Sequence, residues 1–371
     1  MDAPLADEWS ALNQGYLAGE LERLHALLQH RVAVVNDAPL PELPAVVAAP
    51  EHDPPPALVA LSRAFGLSSF ERDLLLLCAA VELDARFPHL CAAAQDNPEC
   101  TYPTLRLALA ALPEADWHAL TPTGVLRRWG LIELNEGHLL TTRPLRASEQ
   151  VLHYLMGQRA LDEQLLPFVD PLAPPEQLVG SQQQQAVALA LAWEQAEGWP
   201  LPLVQLCGEA VEDKRMVAAF AAACVGLRLF VLRSEALPIN WRELVEYWSL
   251  WCRDAALLRA ALLIEVDDTL PLEREQVRSL HYLLEQRGPP LLLAVRERRV
   301  VQRHSLSFEI GRPLPAEQRK LWHDLLAPYA AHLNGAVEQV ANQFNLSEGA
   351  IQAAVQEFGQ RSHPVAPNDL R

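Results

Sequence analysis

The chain has 371 residues, a mass of 41.2 kDa, a formal net charge of −17 and a sequence pI near 5.1. That excess of acid argues against long-range attraction to nucleic acid or to an anionic membrane. Half the residues are hydrophobic, enough to bury several cores, yet the apolar runs at 74–81 and 217–225 are too short to cross a bilayer.

The N-terminus, Met1-Asp2-Ala3-Pro4, is acidic and has no signal-peptide pattern. Cys78, Cys91, Cys100, Cys207, Cys224 and Cys252 form no C-x-x-C pair. Most lie in apolar patterns, so they read as reduced core thiols of a cytoplasmic protein. The twelve histidines show no ligand spacing, and no metal site is expected.

In segment 1–36, Leu12, Tyr16, Leu17, Leu21, Leu24, Leu27 and Leu28 recur at helical spacing. They predict an amphipathic helix that is docked or self-associating. Residues 37–56 hold seven prolines and predict an extended linker. Residues 57–150 predict a mostly helical domain. One helix starts at Pro56-Ala57, and another is capped by Ser68-Ser69-Phe70-Glu71 and runs through Ala80. Further helices cover 85–94, 104–111 and 121–129. The pieces Leu131–Leu134 and His138–Thr141, on either side of Asn135-Glu136-Gly137, read as a hairpin wing.

Helices followed by a wing make a winged-helix arrangement, a common DNA reader, and the last helix offers Arg127 and Arg128. Residues 57–150 nevertheless hold eight arginines against eleven acids. That balance favours protein contact over DNA. A helix at 151–167 and a second proline-rich linker complete segment 151–178.

Residues 179–312 alternate strand and helix, which predicts a parallel α/β sheet. Ser181 is placed to cap the helix 182–197. The buried-looking strand Leu201–Cys207 then leads into Gly208-Glu209-Ala210-Val211-Glu212-Asp213-Lys214-Arg215, where Lys214 is one of two lysines in the chain. Strand, glycine-to-lysine loop and helix make the layout of a P-loop, in which backbone N–H groups cradle phosphate. Gly208, Lys214 and Arg215 are the candidate nucleotide-binding residues. Asp213 replaces the second glycine and adds negative charge. Arg215 replaces the Ser/Thr that ligates magnesium, and a guanidinium has no lone pair to offer. The plainer alternative is a solvated lysine at a helix start.

A second apolar strand, Ala260–Ile264, ends in Glu265-Val266-Asp267-Asp268, the shape of a Walker B strand. If Asp267 takes the magnesium role, Asp268 stands in the catalytic base position. If Glu265 takes it, Val266 follows and no base exists. Asp267 and Asp268 are the candidate catalytic residues, and an ordinary turn after a strand is the alternative. A third strand, 289–295, ends at Arg296, which opens a basic group with Arg298, Arg299 and Arg303. Residues 313–360 read as an all-helical lid and 361–371 as a disordered tail.

The lid wording Arg319-Lys320-Leu321-Trp322, with Val337-Glu338-Gln339-Val340-Ala341-Asn342-Gln343-Phe344-Asn345-Leu346-Ser347-Glu348-Gly349-Ala350-Ile351, resembles the lids of AAA+ ATPases. Gln352 and Ala353 stand where such lids often carry a γ-phosphate arginine. Phe65–Leu76 resembles the variant winged-helix domain of bacterial AAA+ ATPases linked to contractile injection systems. The resemblance covers about residues 57–360. It implies an AAA+-like P-loop sheet with a helical lid, behind a mostly α winged-helix-like domain. It also implies a two-ATPase design with a degenerate first module like this one, so that the chain is either a fragment or has lost the catalytic half. The reading is a non-catalytic assembly module with a winged-helix adaptor. Its partners would be AAA+ subunits, its own copies or a catalytic module, with weak or no binding of ATP and magnesium. The alternatives are an ATPase with a divergent working site, and a winged-helix regulator.

Overall fold

The computed structural model describes residues 3–43, 45–137, 139–196, 201–267, 272–327 and 346–362. The chain divides into one unit of residues 1–165 with 246–258, and a second of 166–245 with 259–371.

In the first unit, helix α1 (Ala3–Val35) lies in the core. Its stripe buries Tyr16, Leu17, Leu24, Leu27 and Leu28 against α2 (Ala57–Phe65), α3 (Ser69–Leu83), α4 (Arg86–Ala94) and α5 (Leu105–Ala111). Each such burial contributes about 1.5–3 kcal/mol. The helix is therefore docked, and the self-association surface expected from the sequence is used up inside its own unit. The segment between α1 and α2 is irregular and mostly exposed, as its prolines predict. It is tied down where Trp9 Nε1 donates to Pro55 O at 3.3 Å and Asn13 Oδ1 accepts from the Ala57 N–H at 2.8 Å.

Charge is buried here as well. Arg23 donates to Glu20 and Asp73, and Arg72 donates to both of those acids at 3.2 Å, joining α1 to α3. The predicted cap of α3 is present: Ser68 Oγ accepts the Glu71 N–H and the Glu71 carboxylate accepts the Ser68 N–H.

The wing differs from its prediction. β1 (Ile132–Leu134) pairs antiparallel with β2 (Leu145–Ala147); of the expected partner 138–141, His138 lies outside the described residues and Leu140 opens a short 3-10 turn. Leu139 and Leu140 are both exposed, whereas Leu145 and Ala147 are buried on either side of exposed Arg146. Only the latter triplet has the strand period of two. The last helix is shorter than predicted: α6 is Val125–Arg128. The helix expected at 151–167 is α7 (Glu149–Leu155), which ends before Gly157 at φ 85°.

Helix α10 (Trp241–Leu258) is shared between the units, with 246–258 in the first. There Arg253, 2% exposed, bonds Asp254 at 2.8 Å and Asp162 at 2.6 Å. Burial pushes the Asp254 carboxyl up, against the pull of Arg253.

The second unit is the mixed α/β fold anticipated. Its sheet runs β3 (Val169–Leu172), β5 (Arg228–Arg233), β6 (Ala260–Glu265), β7 (Leu291–Val295), β4 (Leu203–Cys207), β8 (Ser305–Glu309). All neighbours are parallel except β3 with β5. β4, β6 and β7 are buried throughout, as strands covered on both faces must be. β3 was expected to be linker because of its prolines. It forms at the sheet edge, where Pro171 costs no ladder bond on the open side. Helices α8 (Gly180–Glu194), α9 (Val211–Cys224) and α11 (Arg274–Glu285) complete the core, followed by α12 (Pro315–Leu326) and α13 (Glu348–Ser362). Trp322, Leu326, Ile351 and Val355 form the small core between α12 and α13. The helix expected at 336–344 lies outside the described residues.

Candidate nucleotide site

Ligand sites of open α/β sheets form beyond the carboxyl ends of the strands, and here β4, β6 and β7 end side by side. Gly208, the first residue after β4, has φ 142°, and a Cβ there would meet Ile310 O at 2.2 Å. Only glycine fits so close to the backbone. The loop then closes early. α9 begins at Val211, so the span from glycine to helix is Gly208-Glu209-Ala210, and Glu212, Asp213 and Lys214 lie in the first helical turn.

Lys214 is not a solvated lysine. It is 2% exposed, and its Nζ donates to Gly208 O and Val295 O, each at 2.8 Å. The amine therefore ties the start of the loop to the end of β7. Arg215 meets Glu265, the last residue of β6: Nε donates to Oε1 and Nη2 to Oε2, the latter at 2.6 Å. The Glu265 carboxylate strengthens the hold of Arg215 on its proton. Arg215 also stands near Glu212, at 3.4 Å. Arg215, at the position the P-loop pattern gives to a Ser/Thr, is thus held by the last residue of β6 in a bidentate ion pair.

Asp213, at the second glycine position, points inward and is 1% exposed. Burial raises its carboxyl pKa, opposed by the Gln182 side chain, the Glu348 N–H and the more distant Arg312. Glu348, in the first turn of α13, is raised by burial and then by the charge of Asp213. Asp267 lies two residues past the end of β6 and is exposed, and Asp268 is outside the described residues. Hydrogen bonds thus join Lys214 to Gly208 and Val295, and Arg215 to Glu265.

The basic group after β7 separates. Arg296 pairs with Glu209 of the loop at 2.9 Å, both well exposed. Arg303 instead donates to the backbone oxygens of Leu201, Leu284 and Gln286 and is partly buried, so it braces loops rather than joining a surface cluster. Ser181 does not cap α8; Val179 holds that position. The Glu317 carboxylate of α12 supplies the missing acceptor, taking the Ser181 N–H at 2.7 Å and its hydroxyl at 2.6 Å. Nothing in the local pattern around Ser181 signals Glu317, because the partner is 136 residues away. Of the two wing-side arginines, Arg127 donates to Leu120 O at 3.3 Å and Arg128 lies 5.0 Å over the Trp129 ring.

Residues 13–169 match the family model described as a winged helix domain, variant, and residues 314–370 match the contractile injection system ATPase helical domain. No curated protein matches the chain. Among solved structures, that described as "Crystal structure of FIGL-1 AAA domain" shares 15% identity, over 61% of this chain and 88% of that one, at a TM-score of 0.39, a loose likeness from which nothing is inferred. Two stretches of the chain are thus similar to known domains, the first to the variant winged helix and the second to the helical domain of contractile injection system ATPases.

Proposed function

We propose that this chain is a non-catalytic AAA+-like module whose work is assembly, binding other AAA+ subunits through its α/β and helical parts while the winged-helix domain serves as adaptor. One observation carries the reading: Arg215, at the sequence position of the magnesium-binding Ser/Thr, is held in an ion pair with Glu265 at the end of β6. Arginine has no lone pair for a metal, and Glu265 already spends both oxygens on it. Lys214 is engaged with two backbone oxygens, and Asp213 takes the place of the second glycine with a buried acid. These residues do not fit Mg·ATP, and no hydrolytic step is assigned to them. Asp267 and Asp268 would have to act without a metal held by the loop.

Among the described residues no helix is long and apolar enough to cross a membrane, and the thiols are free, with Cys78, Cys91, Cys207 and Cys252 buried. Both features fit work in a reducing cytoplasm. The test is calorimetric titration with Mg·ATP beside measurement of ATP hydrolysis. The reading expects neither magnesium-dependent binding nor turnover. Micromolar binding lost on Lys214→Ala would favour a divergent working ATPase.

A further inference from the structure

The segment between α1 and α2 runs back along α1 and is anchored to it. His30 Nδ1 donates to Pro41 O at 3.0 Å. Further on, Val47 packs over Gly19, its Cγ1 3.5 Å from where a Cβ there would stand. The stretch of α1 from Gly19 to His30 is about 17 Å long. The chain from Pro41 to Val47 covers about 19 Å as polyproline II, so the two anchors hold it close to that extension. Polyproline II turns once every three residues, which puts Leu40, Leu43 and Val46 on one face. That face is open: Leu40 and Leu43 are each 59% exposed and Val46 78%. Residues 37–56 contain no Lys or Arg, and Glu42, beside Leu43, is exposed and in no ion pair among the described residues.

The second unit carries an aromatic platform. α10 opens on Trp241, 63% exposed, whose ring centroid stands 4.6 Å from that of Tyr282 on α11, edge to face. Ile239, just before it, is 60% exposed. The platform has a fixed base: Ser279 Oγ donates to Pro238 O at 2.7 Å and Gln276 Nε2 to Glu235 O at 3.1 Å, tying the stretch before α10 to α11. Arg278 lies one helical turn before Tyr282, is exposed, and enters no ion pair among the described residues; Glu275 lies a further turn off. Exposed apolar side chains set side by side mark interaction surfaces. An extended chain with an apolar residue at every third position suits an aromatic surface, because its shape is preformed and little ordering is left to do on binding.

We propose that the proline-rich segment of one copy lays Leu40, Leu43 and Val46 on the Trp241–Tyr282 platform of a second copy, with Glu42 facing Arg278. The two surfaces match in periodicity, in apolar character and in charge, and both stand open in a single chain. The contact is head to tail, so it repeats from copy to copy rather than stopping at a two-fold dimer. It rests on the assembly reading above and names where one subunit holds the next.

The test is light scattering on the full chain without nucleotide. Leu40→Asp with Leu43→Asp spoils the segment, and Trp241→Ala with Ile239→Ser spoils the platform. Each double variant should self-associate about tenfold more weakly than the wild type, or worse. Mixed one to one, the two should regain mass as pairs, since each pair keeps one intact segment and one intact platform. All four positions are exposed, so unfolding midpoints should stay level. A charge exchange gives an independent reading: Glu42→Arg or Arg278→Glu alone should weaken association, and both in one chain should restore it. Wild-type mass in both double variants, or a mixture no heavier than its parts, overturns the proposal. So does a wild-type chain that stays at 41.2 kDa at every concentration, including one whose platform takes its own segment. Association that persists unchanged in the variants removes this contact alone and leaves the assembly reading standing.

Discussion

Arg215 and Glu265 grip each other in a bidentate pair, one from the first turns of α9 and the other from the end of β6. The side chain of Glu265 is 9% exposed and that of Arg215 25%. Removing either leaves the other in partly dry surroundings. Arg215→Ala should lower stability by about 2 kcal/mol, below the figure for a fully buried pair because Arg215 keeps some solvent. Arg215→Ala with Glu265→Ala together should lose less than the sum of the singles. Urea unfolding of all four proteins measures this coupling, and strict additivity would mean the pair contributes nothing.

Lys214 gives a second, separable outcome. Its amine bonds two backbone oxygens from a 2% exposed position. Lys214→Met keeps the stem and removes the donor, taking the amine from Gly208 O and leaving Val295 O with the Gly208 N–H alone at 3.2 Å. It should lower stability by about 1–3 kcal/mol without changing any response to ATP. A thermal shift on adding Mg·ATP in the wild type that vanishes in Lys214→Met would instead assign the lysine to nucleotide.

Much of this site was legible in the sequence because its pieces are local. The strand Leu203–Cys207, the glycine after it and a lysine opening a helix follow one another in the chain, and hydrophobic runs of that length suit strands buried on both faces. The substitutions at 213 and 215 could be read as departures from a cradle. What the arginine does instead could not, since Glu265 is 50 residues from Arg215. The wing shows the same limit at shorter range. Asn135-Glu136-Gly137 looked like a tight turn, but the loop runs on until Leu145-Arg146-Ala147 offers alternating burial. The α1 stripe was correctly read as apolar, yet periodicity alone does not say whether a helix packs on its own domain or on a copy.

Glu317 sets an acid limit on the second unit. Burial works against its charge, but bonds from Ser181 and the Leu314 N–H outweigh it and hold the carboxyl below the usual range. A depressed carboxyl contributes stability above its unfolded value of about 4.3, and loses it as pH falls through the folded value. Acid should therefore loosen α12 from α8. Glu317→Gln should be less stable at neutral pH and show a shallower loss below about pH 4.5. Unfolding midpoints across pH measure it; parallel curves for the two proteins would exclude Glu317 as the cause.

The winged-helix domain should not bind DNA at physiological salt. Its two candidate arginines already hold Leu120 O and the Trp129 ring, and the four-residue α6 offers little to lay in a groove. The chain's net charge of −17 repels phosphate besides. Fluorescence anisotropy with labelled duplex should show no salt-dependent binding. Binding that weakens with salt and disappears in Arg127→Ala with Arg128→Ala would restore the regulator reading.

Assembly is the remaining expectation, and the structure narrows where it can be sought. The α1 stripe is buried in its own unit, so it offers no exposed apolar face, and Arg303 is committed to backbone oxygens. Arg296 and Arg298 stay exposed, and Arg296 pairs with Glu209 of the loop. An exposed pair of that kind is worth about 0–1 kcal/mol, so exchanging it for an acid on a neighbouring subunit costs little. Contacts built on such charges are screened at about 8–10 Å in ordinary salt. Light scattering should show mass above 41.2 kDa that grows with concentration and falls with salt. Arg296→Glu with Arg298→Glu should shift the protein toward monomer without lowering its unfolding midpoint, because neither side chain is buried. A strict monomer at high concentration, with no AAA+ ATPase bound to it in its native host, would refute the assembly role.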